Sequence, residues 1–168
     1  MILIGIDPGL HTGIAVVQVS DLAAPVLLHH ETADYSIPHT PSVGARLRRV
    51  VDGSTMYNAV NTLDNDIQLV IEKFVPEARK VDTTALEVIG ELRQTIRDRD
   101  PWVDHVTQWH WQTRQEKDGV SGDALRRLGL WLKGKEQRHV MDAVRHTVIR
   151  LSKMQHKPTL LKGWPRED

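Results

Sequence analysis

Apolar residues open the chain in a near-continuous run, Ile2, Leu3, Ile4 and Ile6, which stops at Asp7. Such a run marks a strand buried on both faces. Pro8 and Gly9 then turn the chain, because proline presets φ and glycine tolerates positive φ. Ile14–Val19 reads as a second strand running back, and Pro25–His30 as a third. Tyr35–Ser42, with Pro38 and Pro41, is a loop. Val43, Leu47, Val50, Val51 and Tyr57 recur near helical spacing and predict a helix over Val43–Leu63, broken at Asp64-Asn65-Asp66. Ile67–Ile71 is a short apolar strand that stops, like the first, at a carboxylate, Glu72. Thr84-Ala-Leu-Glu87 has the form of a capping box and opens a helix striped by Ala85, Leu86, Ile89, Leu92 and Ile96. Asp100-Pro101 ends that helix, and Val103–Trp111 resembles a strand with Val103, Thr107, Trp109 and Trp111 at even spacing.

Gln112–Gly119 is polar and predicts a loop. Ser121 caps a short helix carrying Leu125 and Leu128, with Gly129 near its end. The last long helix runs from about Glu136 to Lys153, and Pro158–Asp168 has little pattern. Three early strands at hairpin spacing, followed by strands alternating with helices, imply an α/β protein: a mixed five-stranded sheet flanked by helices. Residues 1–153 form one domain and 154–168 a C-terminal tail. The 168 residues suffice for one core and not comfortably for two strand-helix domains.

Composition sharpens this only in places. There is no cysteine, which excludes disulfides and zinc-thiolate sites and suits a reducing cytosol. No apolar run approaches a membrane span, so the expectation is a soluble cytoplasmic protein. Zero net charge argues by itself against a nucleic-acid binder, yet it conceals an asymmetry. Residues 1–110 carry 9 basic against 15 acidic side chains, and residues 111–168 carry 13 against 7. An acidic cluster beside a basic surface is what a metal-dependent nuclease needs, though other proteins share it.

The candidate chemistry lies in the carboxylates. A buried charge must be paired or bound to metal, so Asp7 is either a turn-stabilising aspartate or half of a metal site. On the last helix Val140, Val144, Thr147, Val148 and Leu151 form the core stripe. His139, Asp142 and His146, at i, i+3 and i+7, share a separate face, which is either a solvated polar face or a set of cation ligands. Asp7, Glu72 and Asp142 together suit Mg²⁺ or Mn²⁺. A pair of such ions can activate a water and stabilise the leaving oxygen of a phosphodiester. Despite nine histidines, no zinc-ligand spacing occurs.

Three segments carry a family resemblance: Gly-Ile-Asp7-Pro-Gly-Leu-His-Thr-Gly13, Leu-Val-Ile-Glu72 and His139-Val-Met-Asp142-Ala-Val-Arg145-His146. In order and separation they resemble the RuvC Holliday junction resolvases, most closely the divergent phage type, over roughly residues 1–152. The resemblance implies an RNase H-like fold, with Asp7, Glu72 and Asp142 as metal-binding catalytic carboxylates and His139 as fourth ligand. It implies two Mg²⁺ (or Mn²⁺) ions per active site, branched DNA such as a four-way junction as substrate, and a homodimer. By analogy the dimer helix is Thr83–Arg97. It gives His146 no ligand role, and that residue reads as a group behind the ligands, a proton shuttle or a structural side chain. The family's basic motif is blurred here. Arg114, Lys117, Arg126 and Arg127 are candidate phosphate contacts, joined by Arg79 and Lys80 in the loop after Glu72. Phe74 is a candidate for stacking on a base at an opened junction, or for ordinary packing. Gln112-Thr113-Arg114 could line a DNA groove, whereas Trp102, Trp109, Trp111 and Trp131 read as core or rim.

Rival readings are a nuclease for flaps, forks or RNA–DNA hybrids, and a module that grips branched DNA without cutting. An actin-like ATPase or sugar kinase also has an Asp-x-Gly hairpin, but pairs two such domains.

Overall fold

The computed structural model describes residues 1–52, 66–73, 83–98 and 106–164. Its sheet contains β1 (Ile2–Asp7), β2 (His11–Ser20), β3 (Ala23–Asp34), β4 (Ile67–Glu72) and β5 (Val106–Gln112), in the order β3-β2-β1-β4-β5. β2 is antiparallel to both β1 and β3, while β1, β4 and β5 run parallel. This is the mixed five-stranded sheet expected. β3 extends beyond Pro25–His30 at both ends; Pro25 is tolerated because β3 is an edge strand.

The helices are α1 (Val43–Asp52), α2 (Thr84–Arg97), α3 (Arg114–Asp118), α4 (Gly122–Leu128), α5 (Arg138–Lys153) and α6 (Lys157–Gly163), with a 3₁₀ turn at Lys135–Gln137 before α5. The second half of the helix predicted to reach Leu63, with Gly53, lies outside the described residues, as do Val103 and Trp102. Local signals account for several boundaries. Ser121 Oγ accepts from the Ala124 N–H at the start of α4, and Gly129 ends it at φ 76°. α2 begins one residue off the expected box: Thr83 precedes the helix, and its hydroxyl donates to Glu87 at 3.0 Å. Two stretches differ from expectation. The polar segment after β5 is a helical turn and not a loop, closed by the Glu116 carboxylate on the Thr113 N–H at 2.7 Å. The pattern-poor tail contains α6, capped by His156 and seated against Leu128 through Gly163.

β1 is buried along its whole length, so alternate residues report to two cores. Ile2, Ile4 and Ile6 pack with Ile14, Val16, Leu69, Ile71, Leu47, Val88 and Leu92, under α1 and α2. Each such isoleucine is worth about 1.5–3 kcal/mol of burial. On the other face Leu3, Ala15, Val17 and Val70 meet α4 and α5. The same alternation aims Asp7 and Glu72 at the α5 face. Ile6 pairs with Ile71, so these two carboxylates leave neighbouring strands at the same level.

α5 lies on that face in backbone contact. A Cβ on Gly13 would sit 2.1 Å from the His139 carbonyl oxygen, and one on Gly5 would sit 2.2 Å from that of Ala143. Only glycine in these strands permits the approach. Along its other flank α5 is tied to the sheet by polar groups. Arg150 donates from Nε to Gln68 at 3.1 Å and from Nη2 to Gln108 at 3.3 Å. The Gln112 amide donates to the His146 carbonyl at 3.0 Å.

Candidate active site

Glycine beneath α5 brings the third carboxylate to the other two. Asp7 ends β1, Glu72 ends β4, and Asp142 sits on the first turns of α5. His139, one turn before Asp142, donates from Nδ1 to Asp7 Oδ2 at 3.1 Å. Arg145 donates to the other Asp142 oxygen at 2.6 Å and to the Val120 carbonyl at 3.3 Å, which braces that carboxylate. His146 is fully buried. Its Nδ1 donates to Gln112 Oε1 at 2.9 Å, and its Nε2 lies 3.1 Å from Glu72 Oε2. Gln112 thereby fixes the ring and turns Nε2 toward the carboxylates, the outer-sphere arrangement of a metal-ligating histidine.

Lys117 completes the cluster. Its ammonium lies 2.7 Å from Glu72, 3.1 Å from Asp142 and 3.4 Å from Asp7. Burial raises the Asp7 carboxyl above its ordinary range, opposed by the His139 hydrogen bond and the Lys117 charge. Glu72 goes the other way: against the same desolvation, the adjacent His146 ring and the Lys117 ammonium hold it down at about 2. Burial also opposes the charge on Lys117, but Asp7, Glu72 and Asp142 outweigh it and raise that pKa.

These residues fit a divalent cation. Ligand atoms of Asp7, Glu72 and His146 all lie within 4.8 Å of one another. Carboxylate oxygens and one imidazole nitrogen are hard to borderline donors suited to Mg²⁺ or Mn²⁺. The Lys117 ammonium, in contact with all three carboxylates, balances their charge in this structure.

Two solved structures of RuvC from Thermus thermophilus, one of them in complex with Holliday junction substrate, are similar to this chain. Both superpose with a TM-score of 0.61 at 18% identity; they cover 94% and 93% of this chain and 98% of their own. The chain has the RuvC fold. Its mixed sheet flanked by helices is the RNase H-like arrangement the motifs implied. No protein-family model matches the sequence, nor does any curated protein.

Within this RuvC fold, Asp7, Glu72, His139 and Asp142 are brought together, and His146 stands directly against Glu72. The candidate phosphate contacts are dispersed. Arg114 is exposed on α3, whereas Lys117 of the same helix turns into the carboxylates. Arg126 pairs with Asp123 and lies 4.3 Å over the Trp131 ring. Arg127 donates to the Gly163 carbonyl and so holds α6. Phe74, Arg79 and Lys80 lie outside the described residues. Gln112 does not line a groove: it is buried and bound to His146. Trp109 and Trp131 pack against the two cores, while Trp111 is half-exposed with Arg93 over its ring at 5.3 Å. Among the described residues no helix is long and apolar enough to cross a membrane.

Sequence reasoning missed Lys117, Gln112 and Arg145 as parts of the cluster. Thr113-x-x-Glu116 has the form of a capping box and is the signal that could have turned the expected loop into the helical turn carrying Lys117, but nothing local tells where its side chain points.

Proposed function

We propose that this chain is a divalent-metal-dependent endodeoxyribonuclease acting on branched DNA, with four-way junctions as its substrate. The convergence of Asp7, Glu72 and Asp142 from three separate elements carries the reading. The RuvC fold supports it, and one of the similar structures is bound to Holliday junction substrate.

Asp7, Glu72 and Asp142, with His139 or His146 as the nitrogen donor, would hold a pair of Mg²⁺ or Mn²⁺ ions. When bound, such ions supply an activated water and charge stabilisation at the leaving oxygen of the phosphodiester. Hydrolysis in line breaks the P–O3′ bond and leaves a 5′-phosphate and a 3′-hydroxyl. The chain's own groups do the positioning. Asp7 orients the partly exposed His139 ring, Gln112 fixes His146, and Arg145 keeps one Asp142 oxygen engaged so that the other faces the cluster. Exposed basic residues such as Arg114 would contact phosphates without reading sequence. A homodimer joined through α2, where Leu86 is 40% exposed, would place two such sites on opposed strands.

The test is a panel of four-way junction, fork, flap, duplex and RNA–DNA hybrid, each with Mg²⁺ or Mn²⁺. The four-way junction should be cut fastest. Asp7→Asn should abolish cleavage while junction binding in a gel shift stays nearly intact. Full Mg²⁺-supported cleavage by Asp7→Asn would falsify the assignment. Binding without nicking by the unaltered protein would favour the non-cleaving module.

A further inference from the structure

Lys117 holds the position most at odds with a simple metal cage. It comes from α3, on neither β1, β4 nor α5, and reaches one carboxylate from each of those elements. Its side chain is only 11% exposed. An ammonium has three donors, and three acid side chains take them at 2.7, 3.1 and 3.4 Å. The helical turn behind it is anchored, because Glu116 accepts from the Thr113 N–H at 2.7 Å and pairs with Lys153. Only the flexible lysine stem is left to move.

A divalent ion sits about 2.0–2.6 Å from its carboxylate oxygens. One bound through Glu72 Oε2 would lie within about 5 Å of an ammonium 2.7 Å from the same oxygen, too close for two positive centres to share it without cost. We infer that Lys117 is an internal counter-cation that competes with divalent metal for Asp7, Glu72 and Asp142, so that metal loading requires its ammonium to withdraw from the cluster. This rests on the reading of those carboxylates as metal ligands. The withdrawn ammonium is then available to an incoming phosphate, so substrate and metal binding reinforce each other, and by linkage the reinforcement is reciprocal.

Mn²⁺ binding without DNA tests this, measured by calorimetry on the wild type, Lys117→Met and Lys117→Arg. Lys117→Met should bind Mn²⁺ at least about tenfold more tightly than the wild type, the size of a typical coupling between two sites. Lys117→Arg, which keeps the charge, should not. Lys117→Met should also melt lower in EDTA and recover with Mn²⁺, because its carboxylates lose their only ammonium among the described residues. In the wild type, added Mn²⁺ should raise labelling of Lys117 by an amine-reactive reagent, a readout that needs no variant to fold. Equal Mn²⁺ affinity in wild type and Lys117→Met, weaker binding by Lys117→Met, or unchanged labelling on saturation with Mn²⁺ overturns the competition and leaves the metal site standing. If no protein in the series binds Mn²⁺, the metal-site reading fails as well.

Discussion

Gly13→Ala is the most direct probe of how the site is assembled. Its new methyl would start 2.1 Å from the His139 carbonyl oxygen, 2.2 Å from the His139 carbonyl carbon and 2.7 Å from the Val140 nitrogen. All three are helix backbone and cannot rotate aside. Ordinary contact begins near 3.4 Å, so α5 and β2 must separate by about 1.3 Å at this point. Overpacking of this kind costs ~1–3 kcal/mol. For a protein of 168 residues each kcal/mol lowers the melting temperature by ~2–4 °C, which puts the fall between ~2 and ~12 °C. The damage to function is larger. The struck residue is His139 itself, and its 3.1 Å bond to Asp7 does not survive a retreat of that size. A misplacement of about 1 Å costs on the order of 10²-fold in rate. The assay pairs thermal unfolding with junction nicking in Mg²⁺, using Gly9→Ala as control, since a Cβ there meets nothing within 4 Å. If Gly13→Ala melts and cleaves as Gly9→Ala does, α5 does not rest on the backbone of β2, and the account of how the cluster forms is wrong.

Three further outcomes are expected. Gly90→Ala, in α2 with nothing within 4 Å of its Cβ, should stabilise the protein by about 0.5–1 kcal/mol in urea unfolding, and a loss would show that this helical position is crowded. In EDTA, stability should fall as pH drops from the ordinary glutamate value of 4.5 toward 2: Glu72 is held at about 2, so between those values the unfolded chain binds the proton first. Glu72→Gln should flatten that limb of the profile, and an unchanged slope would deny Glu72 its depressed value. Leu86→Asp should shift the sedimenting species from dimer to monomer and slow paired cutting of both strands; a dimer that persists would remove α2 from the interface.

Much of this architecture was legible because strand burial and chain parity are local. An apolar run that stops at an acid shows both the strand and the end where the acid sits, which held for Asp7 and Glu72. Spacing on one helix put His139, Asp142 and His146 on one face, and the structure directs all three to the same cluster. The strong caps were readable too, Ser121 and Gly129 above all. What escaped detection depends on distant partners. Gly5 and Gly13 read as ordinary parts of a hairpin, since the helix that needs their bare backbone lies more than a hundred residues further on. Gln112 resembled a loop residue because its partner, His146, is brought to it only by the fold. Lys117 was placed among phosphate contacts on charge alone, and charge carries no direction. The α6 turn was hidden by its shortness: seven residues with a proline near the start show little periodicity, and its seat on Leu128 and Arg127 is tertiary.

The two flanks of α5 divide their labour. Bare glycine backbone lets the helix lie close against β1 and β2, while its buried stripe of Val140, Val144, Val148 and Leu151 fixes which face turns inward. The hydrogen bonds from Arg150 to Gln68 and Gln108, and between Gln112 and His146, act as stays over β4 and β5 and refine that orientation. Adhesion and aim are therefore written into different halves of the sheet. Apolar replacements of matched volume along the stays would keep the helix attached while letting the tips of His139 and Asp142 wander, producing a well-folded protein that has lost its aim.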